Sequence, residues 1–420
     1  MIQELYDIQA VAGAMFGESI AVSFGNDRAA LLAVRSGVAL CDRSHWGRIL
    51  VSDDDRLRFL HNQSTNDFQQ LKPGEGCDTV FVTSTARTID LATGYVMEDG
   101  VMLLVSPNRR QKVMQWLDQY IFFADKVKLT DISDDTVTFS LIGPKSDAIL
   151  EQLGVGTIIG QPYGSHQLLF TPPVSPPSTG GTSPLSPPST QGTFVVSSPV
   201  SSPVSPSSTQ ETSPVSPPST QETSPVSPLS TQETSPVSPL WTGGTEGGVR
   251  VAVGSGLAIP GYTLIAPAES AAMLWSKLVE VGAVPMGSSV WEQLRIEQGR
   301  PVPDRELTED YNPLEAGLWQ TISFSKGCYI GQETIARLNT YKGVKQQLWG
   351  IRLKAPAEPG SIITVGDEKV GKLTSYTETD EGSFGLCYIR TKAGGEGLKV
   401  LVGDTEGEVV GVPFVTHIPE

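Results

Sequence analysis

The chain is short of cations and of metal-seeking side chains. Lys and Arg total 30 against 46 Asp and Glu, a formal charge of −16, which excludes non-specific adhesion to nucleic acid or anionic lipid without a local basic patch. Only four histidines occur (His45, His61, His166 and His417), with no HxxxH or HExxH spacing, so no metal site is predicted. The four cysteines (Cys41, Cys77, Cys328 and Cys387) lie far apart without a CxxC. A zinc ribbon and a disulfide scaffold are thereby excluded, and free thiols in a reducing compartment are expected. Neither GxSxG nor a Walker loop is present, leaving serine hydrolase and P-loop chemistry without support. The first 27 residues hold no Lys or Arg but include Glu4, Asp7 and Glu18, so no targeting segment is predicted. A cytoplasmic location follows as the expectation.

The longest uncharged window, Val251 to Ala268, reaches membrane-span length. It is broken by Gly254, Gly256, Pro260, Gly261 and Pro267 and reads as two strands around a turn, not as a helix in lipid. Its Gly254-Ser255-Gly256 lacks the third glycine and following helix of a dinucleotide loop and is read as turn chemistry.

Composition shifts abruptly between 171 and 248, which holds 17 of the 31 prolines, no Lys or Arg, and four glutamates as its only charges. TQETSPVSP recurs with an eleven-residue period from Thr209, Thr220 and Thr231. Such a segment is predicted to be extended, disordered and polyproline-rich. Its Ser-Pro and PxxP units would suit phosphorylation or SH3-type recognition, but a tolerated repeat insert is the simpler reading. The flanking runs Gly164 to Phe170 and Val249 to Val253 are strand-like, so the insert is read as the elongated tip of a hairpin within one domain.

The remaining 342 residues have an ordinary globular composition and read as mixed α+β. Helices are expected over Asp54 to Gln63, Arg109 to Ile121, Lys145 to Leu153, Glu269 to Val281 and Ser289 to Gln298. In the second, Val113, Trp116, Leu117 and Tyr120 mark one buried face. Strands are expected over Gly47 to Val51, Val80 to Thr83, Val101 to Val105 and Thr136 to Ile142. After Gly343 six short strand-like runs alternate with glycine-rich turns, predicting a small C-terminal β-barrel. The expected organisation is therefore 1–170 and 249–342 as two parts of one domain, 171–248 as the insert, and 343–420 as the barrel.

The densest chemical signal is KGCYIGQE, Lys326 to Glu333. It is expected to follow a strand over Thr321 to Phe324 and to precede a helix over Gly331 to Leu338, placing Cys328 at a strand-to-helix turn. Unpaired amides at a helix start and the charge of Lys326 would favour a thiolate there. Glu333 opposes this with its own charge, and its i+4 relation to Arg337 gives it a helix-stabilising role. Residue types alone favour a structural turn over a reactive cysteine.

This octapeptide, preceded by LTEDYNPLEAG over Leu307 to Gly317, resembles the signature of the YgfZ family of folate-binding proteins, relatives of the glycine cleavage T protein. GVALCDRSH (Gly37 to His45) and LHNQSTND (Leu60 to Asp67) are similar to N-terminal blocks of the same superfamily, and only the insert falls outside the resemblance. The resemblance implies a three-lobed α+β domain around a tetrahydrofolate channel, followed by the barrel. Such a site needs a carboxylate for the pterin edge, aromatic faces for its ring and a cation for the glutamyl tail.

By that analogy Glu297, in LRIEQG, would hold the pterin edge, although locally it is equally a last-turn surface carboxylate. Asp90 would orient the folate nitrogen, or be a strand-end aspartate. Arg87 would contact the tail, or pair at the surface. Lys326, Tyr329, Gln332 and Glu333 join the binding set through the motif, and Cys328 is its functional thiol. Trp291, Trp319 and Trp349 would line a pterin pocket, or be core.

The implied function is a cytoplasmic tetrahydrofolate-binding accessory protein that supports iron–sulfur cluster assembly or repair. Its partners would be iron–sulfur client enzymes or assembly factors, with any effect on tRNA modification indirect, and with no direct nucleic-acid or membrane contact. The rival is an aminomethyltransferase acting on a lipoyl-bound aminomethyl group with tetrahydrofolate as acceptor. A third reading is a scaffold that recruits partners through the insert.

Overall fold

The structure, a computed structural model, describes residues 2–18, 20–169 and 248–417. The predicted disorder and repeat register of the insert fall at 171–247, outside the described residues.

Two sheets pack face to face between layers of helices. The first runs in the order His166–Leu169, Val249–Val253, Gly261–Pro267, Thr136–Ile142, Ala39–Asp42, Val284–Met286. The second runs Gly76–Val82, Thr88–Val96, Gly100–Val105, Gly47–Ser52, Lys128–Asp131. The expected hairpin beneath the insert is formed, with His166 opposite Ala252 and Leu169 opposite Val249. Val249–Val253 and Gly261–Pro267 are likewise antiparallel neighbours around the Gly254–Gly256 turn, and no described helix is long and apolar enough to cross a membrane.

Side-chain alternation decides what each sheet face can hold. In Thr136–Ile142 the residues Val137, Phe139 and Leu141 join an outer core with Leu40, Val251, Leu264 and Trp275. The intervening Thr138 and Ser140 therefore face the second sheet. With Ala39, Cys41 and Ala252 they give the inter-sheet layer a floor of small or hydroxyl-bearing side chains. Large groups must fill the space above them, and Trp46, Tyr95 and Trp291 do so. Burial of the central strands on both faces follows, and Thr88–Val96 and Gly100–Val105 are buried along their whole length.

The C-terminal strands close into a six-stranded barrel in the order Gln346–Leu353, Gly382–Arg390, Glu368–Thr379, Ile362–Val365, Lys399–Val402, Thr405–Val410. It is tied to the helix Ser288–Gln298 through charge as well as packing. Arg295 and Glu306 are both completely buried and pair at 3.0 Å. Ser375 of the barrel donates to Glu306 at 2.6 Å, and Arg295 donates to Ser375 at 2.7 Å.

One strand expectation fails. Thr321 to Phe324 is not a strand: Trp319–Thr321 is a single 3₁₀ turn and the chain is irregular from Ile322 to Ile330. The Thr321 hydroxyl donates to the Leu318 carbonyl at 2.8 Å and Thr321 N–H also bonds there, closing the turn locally in place of a ladder.

Candidate functional site

Two polar constructions stand out. The first is the KGCYIGQE loop. Lys326 is buried, and its ammonium donates to the carbonyls of His61, Ser64 (2.7 Å) and Asn66 (2.7 Å). These lie at and beyond the C-terminal end of the helix Arg56–Gln63, where carbonyls lack intrahelical partners. All three N–H groups of Lys326 are thereby used. Burial pulls its pKa down to about 8. Ile330 N–H adds a bond to Asn62 O at 3.2 Å, and Thr65 Oγ1 donates to Thr321 O at 2.8 Å. The two sequence blocks Leu60 to Asp67 and Lys326 to Glu333 are thus built against each other.

Gly331 has φ +81, and a Cβ there would lie 2.8 Å from Thr83 O, so the second glycine of the motif is required by close packing. Tyr329 is 9% exposed and sits in a core with Leu314, Leu318 and Ile335; burial raises its phenol to about 12. Gln332 opens the helix Gln332–Thr340. Glu333 is exposed, and among the described residues it forms no ion pair with Arg337.

Cys328 is exposed, whereas Cys41 and Cys387 are buried, and all four thiols are free. It lies in irregular chain, three residues before the left-handed Gly331 that caps the next helix. The expected strand-to-helix turn is replaced by a loop pinned on both sides by buried neighbours, which presents the sulfur outward. Under native conditions a thiol reagent is expected to label Cys328 in a fast phase, while Cys41, whose thiol burial pushes up to about 12, stays protected. Cys328→Ala should abolish the fast phase, and its survival would show that another sulfur is presented.

The second construction joins Arg43 and Arg300, set against Trp46 of the inter-sheet layer, with Asp90, which feels the charge of Arg300. Asp90 is completely buried on Thr88–Val96. Its Oδ2 accepts Ser106 N–H at 2.9 Å, while Oδ1 has no partner. Burial raises its pKa to about 6, against the lowering influence of the Ser106 hydrogen bonds, Arg109 and Arg300. Arg43 follows the strand Ala39–Asp42, with its guanidinium carbon 3.8 Å from the Trp46 ring centre and 4.5 Å from that of Trp291. Its Nη1 donates to Ser140 Oγ (3.1 Å) and Ser255 O (3.2 Å). Gly256, at φ +87, makes room for it, since a Cβ there would lie 2.4 Å from Nη1.

Arg300 follows Gly299, the left-handed cap of Ser288–Gln298. Its guanidinium carbon lies 5.3 Å from the Trp46 ring and 5.1 Å from Phe414. Asp78 borders this layer, accepting Tyr163 OH at 2.9 Å and Thr93 Oγ1 at 2.6 Å. It neighbours Cys77, which faces the other way toward Lys326.

A cleft of about 580 Å³, lined in part by Ser44, His45, Trp46, Pro107 and Asn108, reaches this layer at Trp46. Its size is in the range of small-molecule sites, roughly 300–1,000 Å³. A comparable cleft of about 530 Å³ on the barrel wall is lined by Arg352, Lys354, Lys399, Glu406 and Glu408. There Lys354 and Lys399 are already matched in the exposed pairs Lys354–Glu406 and Lys399–Glu408.

The other expected contacts are placed elsewhere. Arg87 donates to Asp310 O at 2.8 Å. Glu297 is half-buried and accepts from Gln293 at 2.7 Å, one turn back on its own helix. Trp319 packs with Leu314 and Leu318, and Trp349 stacks on His417 at 3.5 Å; of the three expected tryptophans, only Trp291 borders the inter-sheet cluster. Arg43, Trp46 and Arg300 were not foreseen. The signal for the two arginines is positional, directly after the strand Ala39–Asp42 and directly after a helix-capping glycine.

Residues 3–158 match the profile of the GCVT N-terminal domain family. A chloroplastic "putative transferase" of Arabidopsis thaliana is 42% identical over 418 residues, covering 99% of this chain and 80% of the relative. The aminomethyltransferase of Halalkalibacterium halodurans is 24% identical over 411 residues, 95% of this chain and 92% of the relative. Among solved structures, the glycine cleavage system aminomethyltransferase T of Bartonella henselae superposes with a TM-score of 0.71 at 18% identity, over 99% of this chain and 98% of that one.

Proposed function

Since this chain belongs to the GCVT family, we propose that it is a tetrahydrofolate-binding accessory protein of the YgfZ type, in which Cys328 serves iron–sulfur client enzymes or their assembly factors. The observation that carries this reading is the loop that exposes one thiol between two buried anchors, Lys326 and Tyr329. A helix-start turn needs no such anchoring, and a core cysteine would not be presented.

The folate half rests on the inter-sheet layer. Unpartnered Asp90 Oδ1 and Trp46 Nε1 suit the polar edges of a reduced pterin, and Trp46 and Trp291 supply aromatic faces. Such a ligand can carry a one-carbon group on N5 of the pterin ring or on the adjoining N10. Asp90 would accept a hydrogen bond from the ring through Oδ1, Ser106 N–H would hold the carboxylate in place, and the buried strand would keep water from it.

An aminomethyltransferase is the second reading, favoured specifically by Asp90, whose raised pKa suits proton exchange with an amine near neutrality. The 24%-identical Halalkalibacterium halodurans relative, an aminomethyltransferase, points the same way. A glycine-cleavage assay with lipoyl carrier protein separates the two. The accessory reading expects no turnover, together with a drop in client iron–sulfur enzyme activity in a Cys328→Ala strain. Robust turnover, or full client activity in that strain, would overturn it. A cytoplasmic location belongs to this proposal; the Arabidopsis relative is described as chloroplastic.

A further inference from the structure

Among the described residues, four arginines are no more than 2% exposed, and two of them show what a structural one looks like. Arg48 donates to the carbonyls of Ser44, Trp46, Ser133 and Thr136 and to the Thr136 hydroxyl. Arg295 is neutralised by Glu292 and Glu306. Each has exchanged water for a full set of acceptors, as a buried cation must.

Arg43 and Arg300 have not. Both are 2% exposed. Among the described residues neither has a carboxylate within ion-pair distance, Nε of each is without a partner, and Arg300 makes no side-chain hydrogen bond at all. They lie against the same Trp46 ring; burial, then the charge of Arg300, pulls Arg43 down to about 9. The fold nevertheless fixes Arg43 deliberately, through Ser140, the Ser255 carbonyl and the space left by Gly256.

Two adjacent guanidinium groups, stacked on aromatic rings and with donor edges unspent, have the chemistry of an anion fork. We infer that Arg43 and Arg300 together form a recognition site for the carboxylate of a small organic ligand, with Trp46 as the shared wall. Planar, bidentate acceptance matches a carboxylate, and the aromatic surroundings suit an organic body attached to it. Two sources share this chemistry: the glutamyl tail of a bound folate, and a separate amino acid beside it. The first rests on the folate reading above, whereas the second does not.

The test uses the full chain, wild type against Arg300→Gln, with 5-formyltetrahydrofolate, its analogue 5-formyltetrahydropteroate lacking the glutamate, and glycine as probes, followed by calorimetry and tryptophan fluorescence. If the tail is the source, Arg300→Gln should weaken the folate by about 30-fold or more and leave the pteroate unchanged. If a separate acid is the source, glycine should bind wild type and be lost in the variant, with both pterins unaffected. Glycine binding without any pterin binding would sink the folate reading and keep this one. Equal binding of every probe to both proteins, or of none to wild type, would overturn the inference. Arg300→Met gives a second readout that needs no ligand. Relief of an uncompensated charge should raise the ligand-free melting temperature, and a lowered one would show that the guanidinium is already satisfied within the fold.

Discussion

Asp90→Asn is expected to make the ligand-free protein more stable at neutral pH while weakening folate binding. Asp90 has a folded pKa of about 6, raised first of all by burial, against about 3.9 for an unperturbed aspartate. Its protonated form is therefore the one the fold prefers. The stability it contributes is fully present below about pH 4 and is lost as pH rises through 6, a difference of roughly 3 kcal/mol. Asparagine occupies the same space, its carbonyl can still accept Ser106 N–H, and it escapes that loss. Denaturation of the two proteins should coincide near pH 4 and diverge in favour of the variant, by roughly 1–3 kcal/mol, at pH 7.5. Binding should move the opposite way, by about 10- to 100-fold, because the amide offers a donor where the carboxylate offered a charged acceptor. A variant that is less stable at pH 7.5 would mean that Asp90 already has a charge partner within the fold, and unchanged binding would remove it from the site.

Glu306→Gln is the largest stability loss expected. Glu306 accepts from Arg295 at 3.0 Å, from Ser375 at 2.6 Å and from Val302 N–H at 3.2 Å, with both ion-pair partners fully buried. Removing one charge leaves Arg295 with only the half-exposed Glu292, and breaking such a pair costs roughly 3–5 kcal/mol. Because Ser375 belongs to the barrel, the loss should loosen its seat on the helix Ser288–Gln298. Replacing both partners, as Arg295→Met with Glu306→Leu, should recover much of the loss, since apolar isosteres carry no desolvation penalty. Urea denaturation of the single and double variants checks both statements. A single variant within about 1 kcal/mol of wild type would show that packing alone holds the junction.

Much of this architecture is legible before any coordinates. The barrel announces itself through short alternating strands, and the hairpin under the insert through GSHQLL and VRVAV, because each pattern is local and period two. The failure at Thr321 to Phe324 has the same root. Alternation over four residues does not distinguish a strand from a 3₁₀ turn whose apolar residues pack on Leu314 and Leu318. The exposure of Cys328 depends on where Lys326 finds carbonyls, which only the fold determines. The inter-sheet arginines were hidden for a similar reason, since Arg43 and Arg300 stand in distant segments and meet at one tryptophan. A hint does survive in TVTFSLI, where small hydroxyl residues alternate with large apolar ones and leave space on one face of the sheet for bulky partners.

The central claim is that a reduced folate occupies the layer between the two sheets. Titrating 5-formyltetrahydrofolate into the full-length protein while following tryptophan fluorescence tests it most directly, given that Trp46 and Trp291 border that layer. Saturable one-to-one binding that perturbs the fluorescence, and that weakens in Asp90→Asn, is the predicted result. Absence of saturable binding to the wild-type protein would contradict it.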